Sequence, residues 1–307
     1  MRDATLIHLW EARKTLDFPM ENVYQFVGIS RQAFWQKMAQ SRVFAEIERQ
    51  IVAQVTALRI LHPRMGARKI YDKWSCDPAH DALLVSVGRD KFEDILLSNG
   101  FRIGKVVAGH RTTFSGEYRF KNLIEGGSFN DINQVWTSDI TYYWVENRWV
   151  YITLILDLYS RNCLAGVLSE RLTTEESSLP ALKNALKVRG IKRYDHLIFH
   201  SDGGGQYYDK NFVKLSGHHG IKNSMGVSCY ENPFSERLNS TIKNEYLIPK
   251  KPLTFKALAH ELQTTIMLYN TDRPHASINN FTPVDYEKQL KTIPIDKRIP
   301  LIIKILQ

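Results

Sequence analysis

From residue 149 the chain runs Trp-Val-Tyr-Ile-Thr-Leu-Ile-Leu before it meets Asp157, an almost continuous apolar stretch. A run this short, rich in β-branched and aromatic residues, reads as a strand, and without a polar face it must be buried on both sides. Such a strand needs other layers above and below it. The flanking segments supply them. Residues 135–143 are β-rich, and 162–168 form a third strand. Thr174, as a cap, opens a helix to about 188. A strand at 195–200 ends in Ser201-Asp202-Gly-Gly-Gly, a helix occupies 210–215, and a short strand follows at 221–224. A last helix begins at Pro233, a residue suited to the first helical position. Three strands, then helix, strand, helix, strand and helix make an α/β layout.

Upstream of this block the chain is helical. Glu21 to Met38 contains a helix, a break at Gly28 and a second helix capped by Ser30, the pattern of a helix-turn-helix. Its second helix offers Arg31, Gln32 and Lys37 to DNA. A second helical unit has apolar residues at helical period over 46–61, punctuation at Pro63 and Gly66, and a helix starting at Arg68, Lys69 and Ile70. A further helix over 89–98 stops at Asn99-Gly100. An ordinary helical hairpin would read the same way in either unit. Residues 106–130 are polar and glycine-bearing, a linker whose His110, Arg111, Arg119 and Lys121 suit a phosphate backbone. The expected division is therefore 1–42 and 43–105 for the helical units, 106–130 for the linker, 131–250 for the α/β core, and 251–307 for a helical extension with a basic tail. That extension holds a helix over 254–269 and a proline-bearing turn.

The formal net charge is +9, which suits a polyanion such as nucleic acid and equally a merely basic soluble protein. No apolar run is long enough to span a membrane. The first residues carry charges and no apolar secretory core. A cytoplasmic, prokaryotic, nucleoid-associated protein is the expectation. Cys76, Cys163 and Cys229 are widely spaced, which excludes a disulfide framework and a CxxC clip, and no zinc-finger spacing occurs.

Three acids stand out by position. Asp139 lies within the first strand, Asp202 just past the fourth, and Glu236 in the first turn of the helix after Asn232-Pro233. Strand ends and helix starts on one side of a sheet are where α/β proteins build sites. Carboxylates bind hard divalent cations, and two such ions about 3.5–4 Å apart can drive phosphoryl transfer. Each acid also has a plainer reading: a strand-edge polar group, a turn residue before glycines, and an acid favoured by the helix dipole. Glu231 and Glu245 compete with Glu236 for the third place. Lys243 shares a helical face with Glu236 and could reach a DNA phosphate or stay a solvated charge. His200 is expected to be structural rather than a contact to the scissile phosphate, and Trp136 and Trp149 to be core rather than base-stacking groups.

Five segments occur in order: Trp136-Thr-Ser-Asp139-Ile-Thr-Tyr142, Asp157-Leu-Tyr-Ser-Arg161, His200-Ser-Asp202-Gly-Gly-Gly-Gln206-Tyr207, Glu231-Asn232-Pro-Phe-Ser-Glu236-Arg237 and Tyr269-Asn270-Thr-Asp-Arg273-Pro274-His275. Together they resemble the integrase core of bacterial insertion-sequence transposases, whose fold is ribonuclease-H-like, and in particular the second-reading-frame product of that group. His62-Pro-Arg-Met-Gly66-Ala-Arg68-Lys-Ile is similar to the group's upstream helix-turn-helix. The resemblance covers roughly 45–290. It implies that Asp139, Asp202 and Glu236 are the catalytic, metal-binding trio, holding two Mg²⁺ or Mn²⁺ ions. It implies strand cleavage followed by 3′-hydroxyl transesterification. It also implies terminal inverted repeats and target DNA as partners, a circular element intermediate, a homo-multimer, and the upstream-frame product as a further partner. Arg273 and His275 would be structural or DNA-contacting, alongside Lys243, Arg68, Lys69 and Arg31 as DNA contacts. From Asp202 to Glu236 is 34 positions, slightly short of the family's usual interval, with the shortfall in Gly226-Val-Ser-Cys229. Glu231 stands where Asp is commoner, and Pro233 where a small residue is usual. A non-catalytic DNA-binding regulator derived from a transposase is the alternative. A virus-type integrase is disfavoured because its His/His/Cys/Cys module is missing.

Overall fold

A computed structural model of the chain describes residues 19–104, 120–226 and 231–304, together with His8, Trp10, Ala12 and Thr15. His110, Arg111, Arg119 and Cys229 lie outside the described residues, as does most of the expected linker. The chain divides into two compact units, Met1–Leu58 with Asp77–Arg102, and Arg59–Cys76 with Ile103–Gln307.

In the first unit, helix α1 (Met20–Val27) ends at Gly28, whose φ of 73° is the left-handed cap that glycine adopts without a Cβ penalty. Ser30 Oγ then accepts from Ala33 N at 3.1 Å and opens helix α2 (Arg31–Leu61). Val23, Tyr24, Phe34 and Met38 form the small core of this hairpin. Arg31, Gln32 and Lys37 are exposed. The second helix does not stop near residue 42. No glycine or proline interrupts residues 31–61, so a single 31-residue helix runs through the expected boundary. Helix α4 (Asp81–Val85) was not evident from periodicity, while helix α5 (Arg89–Ser98) has the expected bounds.

The second unit is built on a five-stranded sheet of order β4-β3-β2-β5-β6. Its strands are β2 (Val135–Val145), β3 (Arg148–Asp157), β4 (Cys163–Ser169), β5 (Ile198–Ser201) and β6 (Lys222–Met225). A separate two-stranded ribbon pairs β1 (Ser128–Phe129) with β7 (Leu301–Ile302). The β2–β3–β4 meander is antiparallel, and β5 and β6 join it in parallel. This is the mixed-sheet order of a ribonuclease-H-like core. The apolar run at 149–156 sits in β3, central to the meander and covered on both faces. Ile155 packs with Trp136, Phe199 and helix α6 (Ser178–Arg189) on one side. Val150, Ile152, Leu154 and Leu156 point the other way, onto helix α8 (Pro233–Ser240) and helix α10 (Phe255–Thr271). Helix α7 (Lys210–His218) contributes Phe212 to the first cluster.

Three expectations are corrected. Thr174 caps nothing; its hydroxyl donates to the Gln206 carbonyl at 3.3 Å, and α6 begins later, at Ser178. The C-terminal segment is more ordered than a turn and tail. Thr282 accepts from Asp285 N at 3.2 Å and opens helix α11 (Pro283–Leu290). Trp136 is core, but Trp149 is 54% exposed, at the β2–β3 hairpin beside Trp144.

Helix α3 (Ala67–Trp74) is held to this unit through Asp272. His62 Nε2 lies 2.6 Å from Asp272 Oδ2, His62 Nδ1 lies 2.8 Å from the Tyr246 hydroxyl, and Lys73 Nζ also donates to Asp272. The bond from His62 is the main cause that takes the Asp272 carboxyl down to about 2, assisted by Lys73 against the cost of burial. A depressed carboxylate contributes stability above its unfolded value, near 3.8, and loses it as pH falls toward 2. After discounting for solvent screening, Asp272→Asn should cost about 1 kcal/mol at pH 7. That difference from wild type should vanish by about pH 2. Urea titrations at several pH values would measure it, and a pH-independent difference would refute the linkage.

Candidate active site

The register of the sheet brings two of the acids together. Ser138 in β2 is paired with Ser201 in β5, and Asp139 and Asp202 are the next residue on each chain. Parallel neighbours lie about 4.8 Å apart, so the two carboxylates emerge side by side. Ser138 is fully buried and anchors this point, with its hydroxyl donating to the Leu154 carbonyl at 2.8 Å and bonded to Tyr207. Past β5 the chain turns tightly, and Asp202 Oδ1 accepts from Gly204 N at 3.1 Å. A Cβ at Gly204 would collide with Gln206 and stand 3.1 Å from the Asp202 carboxylate.

Glu236 comes from the helix across the strand ends. Asn232 Nδ2 donates to the Ser138 carbonyl at 2.9 Å, which fixes the start of α8 against β2 one residue from Asp139. Asn239, three residues after Glu236, donates from Nδ2 to Asp139 Oδ2 at 2.8 Å. Neither asparagine was assigned a role from sequence. The i,i+3 spacing of Asn239 from Glu236 was the available signal. Asp139 and Glu236 line a cavity of about 790 Å³ together with Asn239, Ser240, Lys243 and Arg64. After Ser240 the helix widens into a π-type stretch, Thr241–Leu247. Such segments recur at functional sites, and this one carries Lys243 into the cavity.

The electrostatics follow from this crowding. Burial, then the Asp202 charge, pushes the Asp139 carboxyl up to about 7, against hydrogen bonds from Ile140 N and Asn239, with Glu236 adding to the rise. Burial also raises Asp202. Loss of solvent lowers the Lys243 ammonium. Among the described residues no three His, Cys, Asp or Glu side chains already stand close enough to hold one metal ion. The donor set is nonetheless all oxygen and all anionic, with two half-buried like charges side by side. That suits a hard divalent cation, which would relieve the repulsion.

The competing residues go elsewhere. Glu245 forms a two-pronged pair with Arg273 (2.9 Å twice) and lies 3.4 Å from Lys69. Glu231 accepts from Asn122 at 2.7 Å. His200 is buried, bonded to Ser224 and to the Glu231 carbonyl, and burial takes it down to about 4, so it is a neutral structural residue. His275 packs edge-on to Tyr269 at 4.5 Å and is pushed by burial down to about 3. Arg68 is exposed, whereas Arg273 is buried in its pair with Glu245. Cys76 and Cys163 are both free thiols.

Two family models, both described as integrase core domain, match residues 130–228 and 219–283. This chain carries an integrase core domain. Over that core it is similar to proteins of bacterial insertion sequences. A 31 kDa protein of insertion element IS600 from Shigella sonnei is 29% identical over 163 residues, 51% of this chain and 58% of that protein. Transposase InsF of IS3fB from Escherichia coli is 29% identical, over 55% of this chain and 59% of that protein. The putative transposase InsK of IS150, also from Escherichia coli, is 27% identical over 51% of this chain and 55% of its own length. The chain thus spans less than two thirds of the length of these relatives. Among solved structures, the HTLV-2 integrase catalytic core domain in complex with magnesium is similar with a TM-score of 0.42 and 19% identity, over 54% of this chain and 99% of that one. The simian T-cell lymphotropic virus intasome gives 0.47 and 17%, over 72% and 74%. No described helix is long and apolar enough to cross a membrane.

Proposed function

We propose that this integrase core is a DNA strand transferase acting at the ends of an insertion element, with Asp139, Asp202 and Glu236 as its catalytic trio. The observation that carries the reading is the β2–β5 register, which sets Asp139 beside Asp202 with Glu236 in reach from α8. The three carboxylates would hold two Mg²⁺ or Mn²⁺ ions. When bound, these supply Lewis acidity to the phosphoryl oxygens and lower the pKa of an attacking water.

The chain's own residues do the rest. Asn239 holds one Asp139 oxygen and Ile140 N the other, which fixes the carboxylate in the cavity wall. Asn232 fixes the distance between the Asp139 strand and the Glu236 helix. Lys243 and Arg64 line the same cavity and would pair with the substrate's phosphates. Arg68, Lys69 and Arg31 are the further cations assigned to DNA, whereas Arg273 is taken up by its buried pair with Glu245. Strand cleavage by water and attack by the released 3′-hydroxyl are both in-line substitutions at phosphorus, so one site serves both. Terminal inverted repeats, target DNA, a homo-multimer and an upstream-frame product are the partners this reading expects. The full chain, incubated with Mg²⁺ and labelled duplexes bearing the gene's flanking repeats, should nick and join them. Asp202→Asn should do neither, while still binding the duplex. If wild type is no better than Asp202→Asn, the chain is a DNA-binding regulator instead.

A further inference from the structure

A second cavity, of about 520 Å³, lies beside the first and shares Arg237, Thr241 and Glu245 with it. Its walls carry Lys69, Arg161, Arg237 and Arg273 against a single carboxylate, Glu245. Four cations facing one anion leave an excess of positive charge. Glu245 is engaged by Arg273 and Lys69, which leaves Arg161 and Arg237 without a share in it.

Arg161 is the unusual member. It closes the motif Asp157-Leu-Tyr-Ser-Arg161, which the proposed chemistry does not use. Its backbone is left-handed, at φ 63°, and its N–H bonds back to the Asp157 carbonyl at 2.9 Å. Only 9% of the residue is exposed, and Nη1 has no hydrogen-bond partner. The guanidinium lies 4.4 Å from the centre of the Phe234 ring, which offers a π face but no acceptor. Asp157, the nearest carboxylate to act on it, is itself bound to Arg189. A buried charge with an unmet donor is costly to maintain. It is a reasonable device where an anion completes it.

We propose that Arg161, Lys69 and Arg237 form a phosphate-binding pocket that takes a backbone phosphodiester of the nucleic-acid strand, next to the one in the catalytic cavity. The inference deepens the strand-transfer reading and rests on it. The shared wall favours a strand over a free anion, because a chain lying in the first cavity has its next phosphates at the mouth of the second. Burial is the first cause that lowers both the Arg161 guanidinium and the Lys69 ammonium, in keeping with cations drawn away from solvent beside other cations.

The test uses the full chain in EDTA, so that binding is read without chemistry. Sodium phosphate, matched in ionic strength with sodium chloride, should raise the wild-type melting temperature by several degrees. Arg161→Met should be at least as stable as wild type in chloride and should lose the phosphate shift. For a labelled DNA duplex, Arg161→Met should weaken binding about 10-fold. It should also flatten the salt dependence by roughly 0.9 in log–log slope, one phosphate contact. Arg237→Gln, at an exposed position, should weaken DNA binding in the same direction and decides the matter if Arg161→Met fails to fold. An equal phosphate shift in wild type and Arg161→Met would overturn the pocket. A lost shift with unchanged DNA affinity and slope would make it a free-anion site and overturn the strand assignment. If phosphate and DNA bind as expected but Mg²⁺ produces no cleavage, the pocket stands and the catalytic reading falls.

Discussion

Asp139→Asn is expected to lose at least about 10³-fold in strand cleavage while raising the melting temperature of the metal-free protein. On the strand-transfer reading, the loss follows from removing one of the three carboxylates that would hold the metal ions. The gain follows from the site's geometry. Asp139 is half-buried beside Asp202, and loss of solvent, the Asp202 charge and the field of Glu236 take its carboxyl up to about 7. A carboxyl raised in the folded state makes folding less favourable as pH rises from its unfolded value, near 3.8, to about 7. The substitution therefore stabilises little at pH 4 and most at pH 8, by about 2 kcal/mol once some relaxation is allowed. Asparagine keeps an acceptor for Ile140 N, so the local turn survives. Thermal melts in EDTA across that range, paired with cleavage assays in Mg²⁺, check both halves. A variant that is destabilised at pH 8, or one that cleaves normally, would show that Asp139 is an ordinary strand-end polar group. Added Mg²⁺ should stabilise wild type and leave Asp139→Asn almost unmoved, because a ligand stabilises only the state that binds it.

The same acid shows what sequence could and could not convey. The order of strands and helices was legible because β3 is apolar on both faces and its neighbours carry their own period. Asp139, Asp202 and Glu236 were legible as candidates because they sit within a strand, just past a strand end and at a helix start, inside ordered motifs. Their juxtaposition was not, since it depends on the Ser138–Ser201 register across a parallel pair 63 positions apart. Asn232 and Asn239 looked like helix-start and helix-face residues until their bonds to Ser138 and Asp139 were seen. Arg273 was marked as a DNA contact by its motif. It is drawn into a buried pair with Glu245, a residue 28 positions upstream, which no local pattern encodes. The division expected between residues 42 and 43 falls inside a helix that runs from Arg31 to Leu61, because no glycine or proline interrupts it.

Arg189→Met should be the most destabilising single change in the sheet-bearing unit, by about 3–5 kcal/mol. Arg189, at the end of α6, donates to Asp157 at 2.9 Å and to both Glu287 oxygens at 2.8 Å. Asp157 is wholly buried, and its other bonds come from the backbone of Asn133, Tyr159 and Ser160. Without Arg189 that carboxylate keeps three N–H donors but loses the cation bonded to it. Burial alone would raise the Glu287 carboxyl. Arg189 first, then Ser160 and Asn162, outweigh burial and hold it below its ordinary value. Glu287 thus contributes stability that is present above about pH 4.5 and lost as pH falls, so the gap between wild type and Arg189→Met should narrow in acid. Replacing the acid as well, in Asp157→Asn/Arg189→Met, should recover much of the loss, because the cost lies in the orphaned charge rather than in the missing pair. Denaturant titrations of the two variants measure this. A loss below about 1 kcal/mol in the single variant would mean that Asp157 is solvated rather than paired, and that the β3–β4 turn holds Arg161 in place without this network.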